Sequence, residues 1–159
     1  MKKLIISLVA IVTIISVTGC EKVKEAKGIY KEGTYMGYDV YESYGKKYAT
    51  TAVIYVDNNG VIKSCYIDST YIKDDVNTTK KVLGDNYGMK TTSANAGVIA
   101  GGAEWYEQVK VIEDKVVQEQ NLDWVKYDST NTKLDSVSGV TISADTYIRA
   151  ISNALNQAK

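Results

Sequence analysis

The segment "KYATTAVIYVDNNGVIKSCYIDST", residues 47–70, decides the fold of this chain. Two runs rich in β-branched residues, 48–56 and 61–68, lie on either side of the turn sequence Asp57-Asn58-Asn59-Gly60. Asn and Gly tolerate the positive φ of tight hairpin turns, so the segment predicts a β-hairpin. Side chains alternate along a strand, and the first run therefore places Ala52, Ile54 and Val56 on one face. We expect that face to pack on a hydrophobic core.

Strict alternation divides the second strand of the hairpin between two faces. It places Val61, Lys63, Cys65 and Ile67 on one face and Ile62, Ser64, Tyr66 and Asp68 on the other. A further strand is predicted to begin at Gly33 with "GTYMGYDV", which extends the hairpin into an antiparallel meander. Residues 70–102 predict a short helix around 79–83 and otherwise a loop, whose glycines make a flexible approach to the next helix.

Two amphipathic helices are predicted after these strands. In "GGAEWYEQVKVIEDKVVQEQ", residues 101–120, apolar side chains recur at helical spacing, at Trp105, Val109, Ile112 and Val116. The last helix spans about residues 144–157 and carries on one face Ile148, Ile151 and Leu155. Ser143 is its predicted N-cap, and Asp145 lies in its first turn, where negative charge suits the helix dipole. These elements predict an α+β domain, an antiparallel β-meander with helices packed on one face, over residues 33–159.

The N-terminal sequence "MKKLIISLVAIVTIISVTGC", residues 1–20, predicts a secretion signal. Lys2 and Lys3 precede an apolar run that is too short to cross a bilayer as a stable helix. The run ends in Val17-Thr18-Gly19-Cys20, which resembles the lipobox of bacterial lipoproteins and implies cleavage before Cys20 and lipidation of its thiol. Residues 1–19 are then the signal peptide and residues 20–32 a charged tether; an ordinary secretory signal or an uncleaved anchor is the alternative.

Composition excludes several classes of protein. The chain contains no histidine, which removes His-based acid/base catalysis, Ser-His-Asp and Cys-His nucleophiles, and imidazole zinc sites. Loss of Lys2 and Lys3 with the signal leaves 17 of the 19 basic residues against 19 acidic ones, a formal net charge of −2. This charge favours no nucleic-acid partner. With Cys20 acylated, Cys65 has no disulfide partner, and a buried inert thiol is its expected state.

A short polar segment precedes the last helix, "DSVSGVT", residues 135–141. From the residues alone it is a loop that caps a helix, with Gly139 allowing a tight turn. It also resembles the flavinylation motif of bacterial FMN-binding domains, a family of extracytoplasmic electron-transfer proteins that includes many lipoproteins. The resemblance implies that a flavin transferase joins the phosphate of FMN to the hydroxyl of Thr141. It further implies that Gly139 admits the phosphate, Ser138 supports it, and Asp135 serves the transferase.

The resemblance covers residues 33–159 more loosely and departs from the family at Val140, where alanine is usual. It implies a lipid-anchored flavoprotein on the extracytoplasmic face of the cell membrane, with FMN attached to Thr141 or bound without a covalent bond. Such a protein is an electron carrier rather than a substrate-converting enzyme. Its partners would be the bilayer, the flavin transferase, a membrane quinol-linked donor and an extracellular acceptor. The alternative is a non-redox cell-surface binding lipoprotein without flavin, with or without a pheromone-like signal fragment.

Aromatic residues supply candidates for contact with a flavin ring. Those singled out for stacking are Tyr87, Trp105 and Tyr106, although aromatic residues on an amphipathic helix commonly belong to the core. A second group clusters in "YMGYDVYESYGKKY", residues 35–48, and consists of Tyr35, Tyr38, Tyr41, Tyr44 and Tyr48. This group predicts either a ligand platform or edge-strand packing with hydroxyls in water.

Overall fold

The structure, a computed structural model, describes residues 27–159. The predicted signal peptide, the lipidation site Cys20 and most of the tether lie outside the described residues. The described end of the tether runs along the domain. The Gly28 N–H donates to the Asn59 carbonyl at 2.8 Å, and the Lys31 N–H donates to the Ala158 carbonyl at 2.7 Å. Tyr30 between them is buried.

Four antiparallel strands form a sheet in the order β1-β2-β3-β4, which confirms the predicted α+β class and the meander. The strands are β1 (Gly33–Ser43), β2 (Lys46–Val56), β3 (Ile62–Lys73) and β4 (Val76–Thr79). Two residues connect β1 to β2, Tyr44 and Gly45, both at positive φ. This is the backbone that a two-residue hairpin needs.

Within the described residues, the helices are α1 (Lys80–Leu83), α2 (Lys90–Asn95), α3 (Trp105–Glu119) and α4 (Asp145–Gln157). A 3-10 turn, Gly84–Tyr87, follows α1. The apolar stripes predicted for α3 and α4 are buried, and they share one core with Ala52, Ile54 and Val56 of β2. No helix between residues 27 and 159 has the length and apolar character that a membrane span requires.

The predicted strict alternation of side chains along β3 is wrong for the first residues of the strand. Val56 pairs with Ile62 and Tyr55 pairs with Ser64, so Lys63 forms a β-bulge. A bulge adds one residue to one strand and shifts every earlier side chain to the other face. Ile62 therefore joins Cys65 and Ile67 on the buried face.

The Ser143 N-cap predicted for α4 is also wrong. Ala144 occupies the N-cap position, and no side chain caps the helix. Ser143 instead forms a β-bridge with Lys133, so its backbone is committed to an extended pairing. The predicted acid in the first turn, Asp145, is confirmed.

Helix α4 closes the edge of the sheet along β1. Gly37 allows the approach, because a Cβ there would lie 2.1 Å from the Ala150 carbonyl oxygen and 2.4 Å from the Ala154 nitrogen. Side-chain amides of α4 then form hydrogen bonds with backbone carbonyls on the free edge of β1. Asn153 Nδ2 donates to the Tyr38 carbonyl at 3.0 Å, and Gln157 Nε2 donates to the Met36 carbonyl at 2.8 Å. These bonds occupy backbone groups that an edge strand otherwise leaves unpaired.

We predict that Gly37→Ala destabilises the fold by about 3 kcal/mol, because the added methyl meets helix backbone that cannot move aside locally. Gly45→Ala is the control. At Gly45 φ is +70° and a Cβ meets nothing within 4 Å, so only the left-handed backbone cost of about 1 kcal/mol applies. Urea denaturation followed by circular dichroism measures both. Equal losses in the two variants would contradict the close approach of α4 to β1.

Candidate functional site

A cavity of about 600 Å³ lies where β1, α1, α3 and the N-terminal end of α4 meet, and we call it the central cavity. Small-molecule sites in proteins commonly measure about 300–1,000 Å³. Its apolar lining consists of Val40, Met89 and Ile142, and its hydroxyl lining of Thr132, Thr141, Ser143 and Thr146. The cavity is therefore large enough for a cofactor-sized ligand and carries both apolar and polar contacts.

Four aromatic side chains line the central cavity: Tyr41, Tyr87, Trp105 and Tyr147. The Trp105 indole N–H donates to the Tyr147 hydroxyl at 2.9 Å. Burial raises the pKa of Tyr87 to about 12 and also raises the pKa of Tyr41 and Tyr147. These hydroxyls are therefore neutral at physiological pH, and the wall consists of uncharged rings.

Two of the three predicted stacking candidates lie in this wall, Tyr87 and Trp105. Tyr106 lies outside it, where its hydroxyl donates to Asp85 Oδ1 at 3.0 Å. The tyrosines of residues 35–48 form no single platform. Tyr38 and Tyr44 are exposed, whereas Tyr41 and Tyr48 stack at 5.4 Å between ring centroids. Strand alternation places Tyr38 and Tyr41 on opposite faces of β1, and Tyr44 lies in the turn that follows.

The segment 132–143 is held as a loop with a closed base. Lys133 and Ser143 form a β-bridge, and the Ala144 N–H donates to the Thr132 carbonyl at 2.7 Å. Buried apolar side chains anchor the loop in the core, at Leu134, Val137, Val140 and Ile142. Asp135 and Ser138 are left exposed. The alternation of apolar and polar residues in the motif is thus an alternation of anchored and exposed side chains.

Thr141 lies in the wall of the central cavity and is fixed by Gln108 of α3. The Thr141 N–H donates to Gln108 Oε1 at 2.8 Å, and the Thr141 hydroxyl donates to the same oxygen at 3.1 Å. Gln108 is completely buried. Its Nε2 donates to Ser93 Oγ at 3.3 Å and to the Ala103 carbonyl at 3.2 Å. One amide therefore ties the motif loop to α2, α3 and the segment between them.

The structure separates Thr141 from the other residues that the motif predicts. Asp135, Ser138 and Gly139 do not line the central cavity. Gly139 adopts φ +83° with open space where a Cβ would lie, so the predicted turn is confirmed. Val140, which departs from the family pattern, is only 5% exposed and points into the core rather than into the cavity. Val140 is therefore not among the residues that bound the cavity.

The charges of the central cavity are mostly positive. Its charged lining comprises Lys80, Lys133, Arg149 and Asp145. Arg149 is neutralised, since its guanidinium lies 2.8 Å from Asp39 Oδ2 and 2.9 Å from Asp145 Oδ2. Lys80 is 7% exposed, and burial lowers its pKa to about 8. Lys133 is exposed at the rim.

Comparison with family models, curated proteins and solved structures finds no match for the chain.

Sequence reasoning did not identify several residues of this site, among them Gln108 and Lys80. Gln108 left a signal, because it lies three residues after Trp105 on the stripe that α3 turns inward. A polar residue on a buried face needs a partner, and that need could have pointed to Gln108. Lys80 left none, since nothing in "TTKKV" distinguishes a lysine directed into a cavity from one directed into water.

We predict that Gln108→Leu destabilises the protein by about 2 kcal/mol, because it leaves the Thr141 N–H and hydroxyl without their acceptor in a half-buried position. Gln118→Leu, on an exposed turn of the same helix, is the matched control and should change stability by less than about 0.5 kcal/mol. Urea denaturation measures both. Equal stability of Gln108→Leu and wild type would contradict the anchoring role of this amide.

Lys80 should make stability rise between pH 8 and pH 10. Its pKa is about 8 in the folded state and about 10.4 in an unfolded chain, so the unfolded state binds more protons over this range. The unfolding free energy of wild type minus that of Lys80→Met should rise by about 2 kcal/mol from pH 7 to pH 10. Cys65 and the tyrosines titrate in both proteins, so their contributions cancel in this difference. A difference that stays constant with pH would contradict the burial of this ammonium.

Proposed function

We propose that this protein is an extracytoplasmic electron carrier, anchored to the membrane by a lipidated Cys20, that holds FMN as a phosphoester on Thr141. The observation that carries this proposal is the position of the Thr141 hydroxyl. Thr141 lines a cofactor-sized cavity, and Gln108 Oε1 accepts from both its N–H and its hydroxyl. In the phosphoester the Thr141 oxygen would give up its bond to Gln108, the N–H would keep its own, and the attached group would extend toward the cavity.

The lining of the central cavity fits the parts of FMN. Tyr41, Tyr87 and Trp105 offer ring faces and edges for a flat isoalloxazine. Lys133, at the rim and paired through its backbone with Ser143, offers a cation for the phosphate. When bound, FMN would supply the redox chemistry, and the chain needs only to hold it and shape its surroundings. A sequence without histidine is compatible with that division of roles.

The exposed side of the motif loop fits the need for a transferase. Asp135 and Ser138 are exposed while the apolar residues between them and beside them are buried. An enzyme that adds the flavin could therefore contact the loop from outside while Thr141 faces the cavity. The buried position of Val140 is compatible with attachment, because this side chain packs in the core and does not line the cavity.

We predict that the protein, produced together with a flavin transferase, retains flavin fluorescence in a denaturing gel. Thr141→Ala should abolish that fluorescence, because the acceptor oxygen is gone. Ser143→Ala is the matched control, since it removes another hydroxyl of the same cavity wall, and it should leave the fluorescence unchanged.

A dark band for the wild-type protein would overturn the phosphoester. Fluorescence that is present in the native protein and lost on denaturation would instead identify FMN bound without a covalent bond. No fluorescence in either state would favour the other candidate, a cell-surface binding lipoprotein without flavin. Fluorescence that survives Thr141→Ala would place the attachment at another residue.

A further inference from the structure

Lys80 is a largely buried residue whose ammonium keeps some solvent contact and pairs with no carboxylate of the described residues. Its ammonium forms no hydrogen bond and no ion pair with any residue from 27 to 159. Asp68 is the acid whose charge acts on it, but that carboxylate accepts from the Ser69 N–H at 2.7 Å and from the Lys81 N–H at 3.1 Å. Burying an unpaired charge costs free energy that a protein normally recovers through a partner.

Aromatic rings surround the Lys80 ammonium on the protein side. The distances from Nζ to the ring centroids are 5.6 Å for Tyr41, 5.2 Å for Tyr87 and 5.3 Å for Trp105. The negative faces of such rings attract a cation, but they bring no net negative charge. The same three rings line the central cavity together with Lys80. The open direction of the ammonium is therefore toward the cavity.

The other charges of the cavity do not supply the missing anion. Asp145 is occupied by Arg149, and the second carboxylate on Arg149 belongs to Asp39. Lys133 adds a further positive charge at the rim. An occupant of this cavity consequently meets aromatic side chains and, at Lys80, a positive charge that no carboxylate of the lining pairs with.

We propose that the central cavity binds a planar aromatic anion, with the Lys80 ammonium as its counter-charge. Apolar rings favour a flat unsaturated ligand, and the unneutralised cation favours negative charge on it. Two sources share this chemistry, the ring of a flavin tethered to Thr141, which is anionic when reduced, and a free ligand that diffuses in. The tethered source rests on the proposed function, whereas the binding site itself does not require the phosphoester.

The test uses 2-naphthoate and its neutral amide, 2-naphthamide, as probes of one shape and two charges. Isothermal titration calorimetry is done on the full chain, purified from cells that lack a flavin transferase. Wild type should bind 2-naphthoate about tenfold more tightly than 2-naphthamide. Lys80→Met should bind both probes equally, and Lys80→Arg should keep the preference for the anion. Lys133→Met measures the smaller contribution of the cation at the rim. Lys126→Met, at an exposed lysine outside the cavity lining, is the control and should leave the preference unchanged.

A measurement on wild type alone keeps the test independent of whether the variants fold. The preference for 2-naphthoate should fall as the pH rises from 7 to 10, because the Lys80 ammonium loses its proton in that range. The titratable and charged groups that face it are Tyr41, Tyr87, Tyr147, Asp68, Asp145, Lys133 and Arg149. Burial raises the pKa of each of the three tyrosines, so their ionisation is displaced upward from its usual range. The Lys133 variant separates the contribution of the other lysine.

Equal affinity of wild type for the two probes would overturn the site, as would a preference that survives Lys80→Met unchanged. The two sources are separated by repeating the titration on protein that carries flavin on Thr141. A loss of 2-naphthoate affinity of at least about tenfold supports the tethered ring as occupant. Unchanged affinity in that protein overturns the tethered occupant. Failure of flavin attachment is detected separately in the denaturing gel, so it cannot be mistaken for failure of this site.

Discussion

The buried amide of Gln108 is the interaction on which the arrangement of the candidate site depends. A side chain without any solvent exposure must satisfy its polar atoms inside the protein, and this one does so by joining three parts of the chain. Its oxygen receives both donors of Thr141, and its nitrogen donates to Ser93 and Ala103. The position of the Thr141 hydroxyl is thereby determined by α3 rather than by the loop that carries it.

The sheet supplies the second constraint on the central cavity. Helix α4 reaches β1 only because Gly37 has no side chain, and the amides of Asn153 and Gln157 then hold the helix along the edge strand. The first two turns of α4 carry Tyr147 and Arg149 into the cavity wall. The contact between Gly37 and α4 therefore fixes one part of the cavity wall, and Gln108 fixes Thr141 in another.

Much of the fold was predictable because its signals are local. The turn at residues 57–60, the buried face of Ala52, Ile54 and Val56, and the stripes of α3 and α4 all follow from spacing within a single element. The predictions that failed concern positions whose structure depends on contacts between residues distant in sequence. The bulge at Lys63 depends on pairing with β2, and Ser143 loses its capping role because Lys133 pairs with it. Propensity carries no information about such pairings.

The site was predictable to a smaller degree. The motif pointed to Thr141 by resemblance, and the turn at Gly139 followed from the residue type. The aromatic wall was found only in part: Tyr41 was named within the cluster of residues 35–48, whereas Tyr147 was not, because the sequence does not reveal the spatial neighbours of its helix. The cation at Lys80 was hidden for the same reason, although it distinguishes this cavity from a simple apolar pocket. A site in which one side chain contacts several elements can be recognised only in the three-dimensional structure.

The proposed lipid anchor, the central cavity and the proposed attachment at Thr141 combine into one account, in which the chain would keep a redox cofactor at the outer surface of a membrane. The most direct test is site-resolved mass spectrometry of the protein produced with a flavin transferase. Trypsin cuts after Lys133 and Arg149, so one peptide, residues 134–149, contains Thr141 together with Ser136, Ser138, Ser143 and Thr146. The account predicts that this peptide gains the mass of FMN less one water and that fragmentation assigns the gain to Thr141. An unmodified peptide, or a gain assigned to another hydroxyl, would contradict it.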